Sequence, residues 1–383
     1  MTATILLPGG PFTFTGTGGE YATPGRPFVS RTAFAAAPVV ADPLGENVPG
    51  APAALDWEAT LRLRRQLWSH GFGVAEGMDT AQRGMGLDYP CTRELIRRTA
   101  AEAREAGHGL VAGVATDQLP PGPAGLDDVR KAYAEQLHDV QEAGATPVLM
   151  CSRHLAAAAR SADDYLAVYG ELLSQADQPV ILHWLGESFD PALAGYWGSA
   201  DIAAATDTVV ALIEAHRSRV AGIKVSLLDA TMEVGLRRRL PAGVRMYTGD
   251  DFHYPELIKG DDRGFSHALL GVFAVIAPSA AAALRALDDG DLAAYDRIFA
   301  PTVPLARHTF AAPTYYYKTG ITFLNWIAGH QDHFTMVGGL QSGRSPRHLA
   351  ELLRLADAAG VLPDADLAAY RSRAWLTTVG LGR

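Results

Sequence analysis

Cysteine is scarce in this chain. Two residues, Cys91 and Cys151, stand among 383, too few for a disulfide framework, so nothing marks a small secreted scaffold. Lysine is scarcer still relative to arginine: of 33 basic residues, only Lys131, Lys224, Lys259 and Lys318 are lysine. A guanidinium stays protonated and cannot serve as an amine nucleophile, so primary-amine chemistry has four positions open to it. Basic runs are missing, and 42 acidic residues leave a net charge of −9. Neither a nucleic-acid partner nor an anionic membrane surface is expected. The longest apolar run, 269–284 (LLGVFAVIAPSAAAAL), falls short of the roughly 18–20 residues a spanning helix needs, and Pro278 interrupts it. The opening MTATILLPGG carries no Lys or Arg ahead of its short apolar stretch, unlike a secretory leader. A soluble cytoplasmic protein is the expectation.

What is present has ordinary globular composition, 48% hydrophobic and 20% charged, and a regular rhythm. Residues 1–30, rich in Gly, Pro and Thr, read as an arm that is irregular or forms short strands. From about residue 31, apolar or β-rich runs at 32–40, 71–78, 109–116, 146–152, 179–185, 220–227, 244–248 and 272–277 alternate with helical patterns. The helical patterns include 57–69, 92–106, 126–143, 162–175 and 206–218. Several strands are apolar without alternation, as parallel strands covered by helices are. No Gly-rich phosphate fingerprint follows the first strand, which counts against a dinucleotide fold. The pattern predicts an α/β protein: a (β/α)8 TIM barrel over 31–288 and a C-terminal helical extension over 289–383. In the extension, 291–308, 315–328, 345–359 and 365–374 read as helices.

Active sites of such barrels lie at the carboxy-terminal ends of the strands. That rule nominates Glu76, Asp79, Asp117, Ser152, Arg153, His183, Lys224, Asp250 and Asp251. Lys224 is the sharpest signal. Its strand reads VAGIKVSL, and period-two parity groups Lys224 with Val220, Gly222 and Ser226, leaving the bulkier Ala221, Ile223, Val225 and Leu227 to face the helices. An amine buried among small residues inside a barrel loses its charge more readily, which suits attack on a carbonyl. The alternative for the same residue is a lysine that snorkels to solvent or pairs with a buried carboxylate.

These strings carry a resemblance. GIK (222–224) resembles the Schiff-base lysine motif of the dihydrodipicolinate synthase / N-acetylneuraminate lyase superfamily, and YTGDD (247–251) resembles its Gly-Asp-Asp segment. The runs 271–278 and YKTG (317–320) resemble the approach to its eighth strand and the start of a carboxy-terminal helix. GMDTAQRGMGLDY, PVILHWLGESFDPALAGYWG, GIKVSLL and YTGDDF look like the hallmark strings of a bacterial branch of that superfamily with no assigned function. The resemblance spans about residues 30–375. It implies a class I aldolase-type lyase or hydro-lyase on a keto sugar, keto acid or related carbonyl compound, with no metal or organic cofactor and self-association as dimer or tetramer.

The departures from the superfamily pattern are specific. Its carboxylate-holding loop is replaced by EGMDTAQRG (76–84), where Thr80 is the one hydroxyl, Asp79 is unhelpful to an anion and Arg83 is the alternative carboxylate partner. His183 stands where the superfamily has a catalytic tyrosine, with Tyr247 as the substitute phenol. Substrate contacts are expected from Glu76, Asp79, Thr80, Arg83, Asp117, Ser152, Arg153, Trp184, Ser226, Asp250 and Asp251. Of the adjacent pair Asp250 and Asp251, at most one is expected to enter the site. A metal-dependent isomerase or hydrolase using Glu76, His183 and Asp250 is one competing reading, and a non-catalytic binding barrel is the other. GHQDHF (329–334) matches no standard metal spacing, and Tyr315, Tyr316 and Tyr317 cannot share one helical face.

Overall fold

The computed structural model describes residues 3–18, 21 and 27–382. Positions 19–20 and 22–26 of the amino-terminal arm lie outside the described residues. The arm begins with an antiparallel hairpin, β1 (Thr4–Leu7) and β2 (Gly10–Thr13), turned by two positive-φ glycines, Gly9 and Gly10. Eight parallel strands follow: β3 (Ala33–Ala36), β4 (Gly73–Glu76), β5 (Leu110–Val114), β6 (Thr146–Leu149), β7 (Val180–Leu185), β8 (Val220–Ser226), β9 (Arg245–Thr248) and β10 (His267–Leu270). They close in sequence order, β10 pairing with β3. The expected TIM barrel is therefore the observed fold. No helix among the described residues is long and apolar enough to cross a membrane.

Local chemistry sets the helix boundaries. Asp56, Asp88, Asp201 and Asp229 each accept a backbone N–H in the first turn of Trp57–Ser69, Tyr89–Ala106, Ile202–Ala215 and Ala230–Arg237. Gly107 and Gly144 end Tyr89–Ala106 and Leu126–Ala143 in the left-handed conformation. The Asp201 cap explains why Ile202–Ala215 starts four residues before the expected 206.

Two expectations are corrected. The eighth strand is β10, and the run 272–277 instead opens the helix Phe273–Asp288. A continuous apolar run carries no period to tell strand from buried helix, and here the alanine-rich continuation favours helix. The expected helix 291–308 is two, Leu292–Phe299 and Thr302–Thr309, parted at Pro301. By compactness the chain forms two units. One holds 31–37 and 73–271, with all eight barrel strands; the other holds 1–30, 38–72 and 272–383. The second unit thus gathers the helices Trp57–Ser69 and Phe273–Asp288 with the hairpin and the carboxy-terminal helices.

The barrel interior is filled by Ala36, Ala75, Val111, Val148, Ile181, Tyr247 and Leu269, with Phe34 and Ala221 packed against them. Ala221 was expected on the helix-facing side. A bulge in β8 places Val220 opposite Val180 but Gly222 opposite Ile181, so the extra residue breaks the strict alternation. Beyond the bulge the parity holds.

Candidate active site

Lys224 sits in register with His183 on β7 and Tyr247 on β9. Tyr247 belongs to the interior cluster, so the lysine side chain enters the barrel too. Its room is made by Gly249: a Cβ there would lie 2.6 Å from Lys224 Cε and collide with Ser226 Oγ. Lys224 is 7% exposed. Its amine makes no hydrogen bond or ion pair among the described residues, yet is not one of the sealed buried polar atoms. Burial holds its pKa below the ordinary lysine value, while the charges of Asp79 and Asp251 act in the opposite direction.

His183 is fully buried. Its Nε2 lies 3.3 Å from Ser226 Oγ, and its Nδ1 has no hydrogen-bond partner among the described residues. Burial, and then the neighbouring Lys224 charge, drive its pKa well below the ordinary imidazole value. Lys224, His183 and Ser226 thus form one cluster on two adjacent strands. The Cys151 thiol donates to the His183 carbonyl at 3.2 Å, and burial pushes that thiol far up.

The remaining sequence candidates separate. Glu76 follows Ala75, an interior residue, and so turns outward; its carboxylate accepts from Thr99 on the helix Tyr89–Ala106 (2.7 Å) and from the Gly77 N–H (2.8 Å). That parity turns Glu76 away from the barrel interior that His183 faces, so the structure does not bring the two together. Arg83 has no donor left for a substrate. Its five N–H groups go to Asp117 (twice), Gln136 (2.6 Å), Gly113 carbonyl (2.8 Å) and Gly77 carbonyl (3.2 Å). Asp117 is correspondingly consumed; burial would raise its pKa, but Arg83 and Gln136 outweigh it and hold it low. Thr80 is buried in the short turn Asp79–Ala81.

Ser152 caps the helix Arg153–Ala158 through Leu155 N–H and bonds Thr116 Oγ1 at 2.6 Å; Arg153 is paired with Asp190. Trp184 alternates with His183 and faces the covering helices, 6.5 Å from the Trp197 ring. There it lines a cavity of about 220 Å³ with Leu193, Tyr196, Leu227 and Met232. The Tyr247 ring lies over Gly222 and beside Phe34 and His267, all in the first halves of their strands. It is therefore turned towards the barrel end opposite the mouth, away from the role expected of it. Asp250 accepts from Phe252 N–H, His253 N–H and His253 Nδ1 (2.8, 3.1 and 2.9 Å). Its neighbour Asp251 is the one of the pair whose charge reaches Lys224.

Sequence reasoning missed Tyr133 and Tyr169, which brace this wall together with Tyr196. Tyr133 donates to the Met150 carbonyl at 2.6 Å, and Tyr196 lies 3.0 Å from Tyr169 Oη and accepts from Ser152 N–H at 3.1 Å. They come from two helices and a loop, so no local spacing announces them. Gly249 was available as a signal, since it lies inside YTGDD. No group of three or more metal-ligating side chains is brought together among the described residues.

The fold is shared with dihydrodipicolinate synthases. The enzyme structure from Oceanobacillus iheyensis matches at 15% identity and TM-score 0.65, over 86% of this chain and 96% of that one. The Aquifex aeolicus synthase matches at 13% and 0.65, over 87% and 99%. YagE, a prophage protein of the dihydrodipicolinic acid synthase family from E. coli K12 solved in complex with pyruvate, matches at 17% and 0.65, over 86% and 99%. No curated protein matches the chain by sequence. Residues 13–381 match one family profile, described as a protein of unknown function (DUF993). The chain belongs to that family.

Proposed function

We propose that this DUF993 member is a Schiff-base-forming lyase, of aldolase or dehydratase type, acting on a carbonyl compound through Lys224. One observation carries the reading: a primary amine, buried and unpaired among the described residues, held below its ordinary pKa at the mouth half of a barrel strand. The unprotonated amine adds to a ketone carbon, the carbonyl oxygen leaves as water, and an iminium remains. That cation accepts the electron pair of an adjacent C–C bond as it breaks, or of a C–H bond ahead of dehydration. In this reading His183, neutral and beside Ser226 Oγ, moves the proton. Asp79 and Asp251 favour the iminium charge as it develops. The chemistry needs no metal or organic cofactor, and a homo-oligomer (dimer or tetramer) belongs to the same reading. That YagE holds pyruvate, a ketone, supports a carbonyl substrate.

Cyanoborohydride reduces an iminium and leaves a stable secondary amine. Incubated with a ketone and this reagent, the protein should gain mass on the peptide containing Lys224. Lys224→Arg, which keeps the charge and loses the nucleophile, should gain none there and show no turnover. Equal labelling or activity in that variant sinks the reading.

A further inference from the structure

The Schiff-base reading leaves open what kind of ketone enters, and the charges around the amine narrow it. A 2-oxo acid carries its carboxylate on the carbon next to the one Lys224 attacks. Such a group needs a cation or a set of free N–H donors at the mouth. Of the arginines that follow β4 and β6, Arg83 has all five N–H groups committed inside the wall and Arg153 is paired with Asp190. Lys224 itself becomes the iminium. The charged groups acting on it are two carboxylates, Asp79 in the turn after β4 and Asp251 after β9. Asp79 is half-buried and its carboxylate makes no hydrogen bond among the described residues. The same cluster contains His183 Nδ1, buried without a partner, and the Lys224 amine, on a buried side chain with no hydrogen bond or ion pair among the described residues.

An ionised carboxylate only accepts hydrogen bonds. It repels a substrate anion held beside it and rewards a substrate that brings O–H donors. We propose that this site takes an uncharged polyhydroxylated ketone, a keto sugar or keto polyol, whose hydroxyls donate to Asp79, while the Asp251 charge adds to the repulsion of anions, and that it discriminates against 2-oxo acids. In the first step the Lys224 nitrogen lone pair forms the N–C bond, the C=O π pair moves to the oxygen, and one proton passes from the nitrogen to that oxygen. The resulting carbinolamine then loses that oxygen as water with a second proton. The substrate hydroxyls keep theirs, and the two carboxylate charges favour the iminium.

The test uses the full chain with cyanoborohydride and, at equal concentrations, L-erythrulose, 1,3-dihydroxyacetone or pyruvate. Adducts are read by peptide mass, with Lys224→Arg as the blank for surface lysines. Erythrulose should label Lys224 at least about tenfold faster than pyruvate, a discrimination of about 1.4 kcal/mol. Asp79→Asn and Asp251→Asn should each narrow that ratio, since the accompanying shift in the amine's own pKa acts on both ketones alike. Pyruvate labelling Lys224 as fast as erythrulose overturns this inference and leaves the Schiff-base reading standing. If no ketone labels Lys224 above the blank, the Schiff-base reading itself fails, and this inference with it.

Discussion

At the scale of single residues, the site depends on opposing effects at one nitrogen. Desolvation lowers the Lys224 pKa, and Asp79 and Asp251 raise it, with desolvation the larger effect. The reactive species is the free amine, so the rate of iminium trapping should rise with pH along a limb centred below the ordinary lysine value. Asp79→Asn removes one of the opposing charges and should move that limb to lower pH, read from trapping rates across a buffer series. A limb that stays in place would show that Asp79 does not act on the amine. His183 contributes no limb near its ordinary value, because burial keeps it neutral there. Gly249 belongs to this scale as well: it is a glycine because the Lys224 side chain occupies the space a Cβ would take.

At the scale of elements, Arg83 ties the ends of β4 and β5 to the helix Leu126–Ala143. Its guanidinium reaches the Gly77 and Gly113 carbonyls, Asp117 and, on that helix, Gln136. Gly113 permits the approach, since a Cβ there would sit 3.3 Å from Arg83 Nη1 and 2.5 Å from the Gly77 carbonyl. A lysine has three donors on one nitrogen and cannot fill this five-bond fork. Arg83→Lys is therefore expected to cost about 3 kcal/mol of stability, the scale for breaking a buried ion pair, measured by denaturant unfolding. If Arg83 instead bound substrate, the variant would unfold as the parent does and lose carbonyl affinity.

At the scale of the whole molecule, buried titratable groups set the acid response. Burial, more than neighbouring cations, holds His183 well below its ordinary 6.5 and brings His267 and His330 to about 4. Below about 6.5 the unfolded chain binds these protons and the folded chain does not. Their contribution is thus fully present above that pH and is lost as pH falls towards 4, at about 1.4 kcal/mol per pH unit for each histidine. Glu233 has the opposite sign. Burial raises its pKa to about 8, so its contribution is present at low pH and is lost as pH rises through 8. It offsets one histidine in the acid window. The unfolding midpoint should fall steadily between pH 6.5 and 4.5, followed by circular dichroism. A flat profile would mean these histidines are solvated in the fold.

The amino-acid sequence alone determined the barrel, the strand that carries Lys224 and the inward direction of that lysine. These follow from chain-local periods: two for a strand and 3.6 for a helix. Even there, the bulge at Ala221 and the helical continuation of 272–277 escaped it, because a one-residue insertion or an unbroken apolar run has no period to read. Tertiary structure decided which polar residues meet. Glu76 and Arg83 sit at the ends expected of site residues, yet one turns to Thr99 and the other is saturated by Asp117, Gln136 and two carbonyls. Apart from Gly77, the hydrogen-bond partners of both side chains lie 23 to 53 positions away, and only the packing of β4 and β5 with the helices that follow them brings such distant donors and acceptors within reach of each other.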